Sequence, residues 1–116
     1  EDGLIVWSES TDDIHNLVRA VTRPFPGAFT FVERGDNGLQ RILIWRAIPF
    51  DTHLIWPDLS PGAIVEAFVT GEFIVKTGDT SLLVQEYEGA TISDEDKGRV
   101  LTTGGRSPRT WENLPH

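Results

Sequence analysis

Apolar positions fall into two rhythms along the chain. Ile14, Leu17, Val18 and Val21 recur at i, i+3, i+4 and i+7, the single stripe of an amphipathic helix. Ser10 or Thr11 stands where a cap would accept from the first free amides, and Asp12 and Asp13 follow at the positive end of the helix dipole. Pro24 disfavours helical geometry at Arg23, so the helix is expected to end at about Thr22. Pro26 and Gly27 then redirect the chain.

From Ala28 the rhythm changes to that of strands. AFTFVE (28–33) puts Ala28, Thr30 and Val32 on one face and Phe29, Phe31 and Glu33 on the other. RGDNG (34–38) is a turn, and RILIWRA (41–47) is its return strand, so 28–47 reads as a hairpin. AIVEAFV (63–69), EFIVKT (72–77) and SLLVQEY (81–87) are three further strands, joined at Thr70-Gly71 and at Gly78-Asp79. The proline-rich stretch 48–62 is expected to carry a loop, and GLIVW (3–7) to form a short strand. ISDEDKGRVL (92–101) predicts a short helix capped by Ser93, weakened by Gly98, and the Gly- and Pro-rich end reads as a tail.

These elements predict a mainly β fold. It is a small OB-like open β-barrel of 5–6 strands with one N-terminal amphipathic helix and a short C-terminal helix. The expected division is a barrel unit over 1–89 and an extension over 90–116. A chain of 116 residues suits one domain. It does not begin with methionine, which favours an excised piece of a longer protein.

Composition narrows the chemistry. With no cysteine, disulfides, thiolate nucleophiles and cysteine–zinc sites are excluded. The three histidines, His15, His53 and His116, have no partner at ligand spacing, so no metal site is expected. No G-x-S-x-G elbow is present, and TTGGRS (102–107) lacks the spacing of a phosphate loop. Glu86 and Glu88 share a strand face and read as solvated acids. No apolar run reaches the ~18 residues of a membrane span, and no membrane partner is expected.

The net charge of −8 is uneven. Residues 57–96 hold nine acids and one base, whereas 14–56 hold five bases and three acids. Any contact with a polyanion must therefore use local arginines. His15, Arg19 and Arg23 lie at i, i+4 and i+8 on the polar side of the helix, and Arg46 is a spatial candidate to join them. With Asn16 they form the candidate partner-contact set; the bland alternative is a solvated polar face.

Five segments in order carry a resemblance: DGLIVW (2–7), IHNLVRA (14–20), PFPGAF (24–29), PGAIV (61–65) and TGDTSLL (77–83). Together they resemble the C-terminal domain of the formyltransferase family, of which methionyl-tRNA formyltransferases are members, over residues 2–89. Thr80 departs from that pattern, which has glycine there. The resemblance implies an OB-like barrel behind a Rossmann-type catalytic domain that holds 10-formyltetrahydrofolate and an Asn–His–Asp active site. It also implies that this chain holds no cofactor or catalytic residue. Pro24, Pro26, Gly27 and Ala28 become the rigid junction from helix to first strand. The partners implied are the upstream catalytic domain and an amine acceptor, tRNA or an amino sugar. The acidity of residues 57–96 argues against tRNA. A cytoplasmic location is expected. Two other readings stand beside this one: a free-standing OB-like module for nucleic acid or sugar, and an enzyme in its own right.

Overall fold

The computed structural model describes residues 3–21, 27–35, 38–50 and 56–103. Helix α1 spans Thr11–Ala20. The Ser10 side chain caps it, accepting from the Asp13 amide at 3.1 Å, and Asp12 and Asp13 occupy the first turn. The helix closes at Val21, whose amide still donates to Leu17.

Five strands follow: β1 (Ala28–Glu33), β2 (Leu39–Pro49), β3 (Ile64–Ala67), β4 (Phe73–Lys76) and β5 (Ser81–Glu88). They form one antiparallel sheet in the order β1-β2-β5-β4-β3, curled into a half-barrel. The hairpin 28–47 is present, with Ala28 opposite Ile44 and Glu33 opposite Leu39. Asp36 and Asn37 of its turn lie outside the described residues. β2 runs two residues past the expected end, because Ile48 and Pro49 still pair with Leu83 and Leu82 of β5. The expected C-terminal helix is a single 3-10 turn at Asp94–Asp96.

GLIVW does not form a strand. Its ladder is one bridge, Leu4 to Phe29, flanked by the Phe29 amide on Gly3 O and the Ile5 amide on Phe29 O. The reason is visible in where its side chains go. Ile5 and Trp7 enter the main core, while Leu4 joins Phe29, Phe31 and Leu43 in a second cluster on the other side of β1. Then the chain turns off the sheet edge toward α1, with the Glu9 amide on Val6 O. Trp7 keeps its indole N–H satisfied inside, donating to Thr30 Oγ1 at 2.9 Å.

The seam of the half-barrel lies between the edge strands β1 and β3, and residues 98–102 bridge it. On the β3 side the Gly98 amide donates to Ile64 O, the Ile64 amide to Arg99 O, and the Leu101 amide to Gly62 O. On the β1 side Phe31 and Thr102 exchange both amide hydrogen bonds. Ile92 and Leu101 enter the same core as Ile14, Val18, Ile42, Ile44, Phe73 and Val84. The apolar stripe of α1 therefore covers one face of the curled sheet, chiefly over β2.

Candidate functional site

Two polar assemblies next to α1 account for most of the chemistry-bearing residues described. The first sits at the helix N-terminus. Asp79, in the β4–β5 turn, presents its Oδ1 to the Thr11 amide at 2.8 Å, the Thr11 hydroxyl at 3.0 Å, the Thr77 hydroxyl at 3.1 Å and the Thr80 amide at 2.8 Å. The Thr11 and Thr80 hydroxyls lie 2.7 Å apart. One assignment uses every proton: Thr11 and Thr77 donate to Asp79, and Thr80 donates to Thr11. The Thr11 backbone bond, set against desolvation and aided by the Thr11 and Thr77 hydroxyls and the Thr80 amide, holds the Asp79 carboxyl below its ordinary 3.8. Gly78 is required here by crowding. Its amide donates to Glu9 O at 2.8 Å, and a Cβ would overlap the Ser8 carbonyl oxygen. Thr80, where the family pattern has glycine, is buried and ties the hairpin to Thr11.

The second assembly is the outer surface around Trp45. Register shifts on either side of Arg46 make a bulge in β2, a feature that re-aims side chains. Trp45 is half-buried and donates its indole N–H to Glu88 Oε1 at 2.7 Å. Its ring lies over Gly27, which has φ +95°; a Cβ there would come within 2.8 Å of the ring. So the glycine of the PFPGAF segment takes a positive φ and also seats the indole.

Trp45 separates two hollows of opposite character. On one side a groove of about 360 Å³ is lined by Val18 and Arg19 of α1 and by Trp45, Arg46 and Ala47 of β2. On the other a concavity of about 910 Å³ is lined by Trp45, Thr70, Gln85, Glu86, Glu88 and Thr91 among others. Arg46 pairs with Glu86 across the rim at 3.8 Å, with both side chains well exposed.

The structure thus places the candidate residues as follows. Arg19 and Arg46 line one groove. His15 is half-buried and Asn16 exposed on α1, and neither is among the described residues of that groove. Ala28 is buried at the start of β1, and Gly27 underlies Trp45. Arg23, Pro24 and Pro26 lie outside the described residues. Sequence reasoning missed Trp45. Its only signal was a large aromatic within an alternating strand, where it shares the outer face with Leu43, opposite the buried Ile42 and Ile44.

A third cluster holds the seam. The Asp96 carboxylate is buried and accepts from Arg34 Nη1 and from Arg99 Nε at 3.0 Å, and the Ser93 amide donates to its second oxygen at 3.0 Å. Burial alone pushes this carboxyl up. The Arg34 hydrogen bond, the Ser93 amide, the Arg34 charge and Arg99 outweigh it, leaving the group below 3.8. No group of three or more potential ligands for a metal ion occurs among the described residues.

The chain is thus an OB-like half-barrel in which Asp79 and Asp96 tie its own elements together and Arg19 and Arg46 lie beside a seated indole. A family model, that of the formyl transferase C-terminal domain, matches residues 1–105. The chain belongs to this family. The IHNLVRA, PFPGAF and TGDTSLL segments gain physical meaning from it: a core helix, a seat for an indole, and a knot on the helix N-terminus. No helix among the described residues is long and apolar enough to cross a membrane.

Proposed function

We propose that this chain is the non-catalytic accessory domain behind the catalytic domain of a 10-formyltetrahydrofolate-dependent formyltransferase, and that it braces that domain and helps orient an amine acceptor. The observation that carries the reading is the position of the incoming chain. Gly3 is hydrogen-bonded to Phe29 at the start of β1 and lies against Gly27, and Gly27 lies under Trp45. On this reading an upstream domain would meet the side of the barrel that holds Gly3 and Gly27, near Trp45. The folate stays with that upstream domain. The barrel unit of 1–89 supplies all five strands, and the extension from 90 bridges its seam. The acidity of residues 57–96 favours a compact acceptor such as an amino sugar over tRNA. A cytoplasmic setting, where reduced folate is at hand, completes the proposal.

The test is steady-state formyl transfer by the full native chain that carries this segment. Arg19→Ala with Arg46→Ala should raise KM for the acceptor by about tenfold, the loss of one or two charge-assisted hydrogen bonds, with kcat within about twofold. Unchanged constants for the acceptor, or a native product of about this domain's size, would overturn the reading.

A further inference from the structure

We infer that residues 92–103 form an exchangeable arm, which leaves the seam of its own half-barrel as a unit and closes the seam of a second copy of this chain. The seam lies between two sheet edges, and the arm fills it. Three of the arm's backbone bonds go to the β3 side, through Gly62 and Ile64, and two go to Phe31 of β1. Ile92 and Leu101 carry it into the core. Asp96 ties it to Arg34, just past β1. Arg99 Nη1 donates to Glu33 O at 3.2 Å, and Lys97 pairs with Glu66 at 3.4 Å. None of these ties involves the short link, residues 89–91, that joins the arm to β5. Gly89 in that link is exposed and sits at φ +112°, a conformation that only glycine leaves and re-enters freely. The same bonds therefore form whether arm and seam belong to one chain or to two.

The seam selects this segment over an unrelated strand. Gly62, at φ +97°, is crossed by the Leu101 carbonyl, whose oxygen lies 2.5 Å from where a Cβ would stand. Leu101 fills the core from the same stretch, and Asp96 supplies the counter-charge for Arg34. A second copy carries all three features in the right order. A seam without its arm leaves the backbone groups of two edges unpaired, which favours refilling by any arm of this sequence. Rebuilding identical contacts between two chains costs little beyond the freedom lost on association. Exchange is thus slow, because the arm must first open, and it grows with chain concentration. Arm and seam both lie within this chain, so the inference stands apart from any upstream domain.

The chain has no cysteine, so two introduced ones report the exchange. Ala63 and Val100 oppose each other across the seam, between the Ile64–Arg99 and Leu101–Gly62 bonds. Opposed Cα atoms in such a pair are about 4.5 Å apart, within reach of a disulfide. Ala63→Cys and Val100→Cys are made on separate chains and mixed at total concentrations from about 10 μM to about 1 mM. The mixture is held in mild urea, returned to buffer and oxidised. A heterodimer cross-linked 63 to 100 should exceed both homodimers and, while scarce, rise about tenfold for each tenfold in concentration. Asp96→Asn on both chains frees the latch and should speed its appearance about tenfold or more. The unmodified chain gives an independent readout. Light scattering should find a dimer formed at the highest concentration that persists for hours after dilution, since return also requires opening. A heterodimer no more abundant than the homodimers, or an unmodified chain that stays monomeric at every concentration, overturns the arm.

Discussion

The two ends of the polar equipment around α1 use their side chains in opposite ways. At the helix N-terminus, Thr11, Thr77 and Thr80 are buried and spend their hydroxyls on each other and on Asp79. On the flank of the same helix, Arg19 faces solvent beside Arg46 and a seated indole. The first arrangement is closed: every donor has an acceptor within the chain. The second is open, its one described guanidinium–carboxylate pair long and exposed. Substitutions should therefore separate the two regions cleanly, the closed one governing stability and the open one binding.

The largest effect is expected at the seam. Asp96→Asn leaves Arg34 without its buried counter-charge, and should cost about 3 kcal/mol in urea unfolding. Thr11→Val keeps the shape but strands the Thr80 hydroxyl and removes a hydroxyl donor to Asp79, while Thr77 keeps Asp79. About 2 kcal/mol is expected. Gly27→Ala probes the open region from beneath. The positive φ and the displaced indole together should cost about 1–2 kcal/mol and shift the Trp45 fluorescence. At the small end, Arg19→Ala and Arg46→Ala should change stability by less than about 0.5 kcal/mol while weakening acceptor binding. A loss of stability from the arginines comparable to that from Thr11→Val would erase the contrast.

Acid sharpens the same comparison. Asp79 and Asp96 are both held below the ordinary 3.8, so the folded state binds their protons less tightly than the unfolded chain does. Their contribution is present in full above the unfolded carboxylate range and is lost as pH falls through the lowered folded values. Stability measured from pH 6 downward should thus be flat and then drop below about pH 4. Asp96→Asn should flatten that drop, and Asp79→Asn should do so to a smaller extent because Asp79 is exposed.

Much of the scaffold was legible in the order of residues. The capped helix, the hairpin from Ala28, the three later strands and their glycine turns all follow from local pattern. GLIVW misled, because an unbroken apolar run carries no period. Leu4 and Trp7 serve different clusters, and the stretch is a connector. The acids at 94–96 showed only a helix start, whereas Asp96 reaches Arg34 from 62 positions away.

By itself, then, the amino-acid order determined the helix, the five strands, the class of fold and the family, because caps, alternation and turn glycines act within a few residues. Only the tertiary structure decided the use of the polar groups. Asp79 meets Thr11 across 68 positions, the 98–102 segment bridges both sheet edges, and Trp45 borders both the hollow with Glu86 and Glu88 and the groove with Arg19 and Arg46. Each of these depends on strands curling until distant segments touch. Local pattern carries no record of that curl, because the same alternation of residues is compatible with a flat sheet and a closed one.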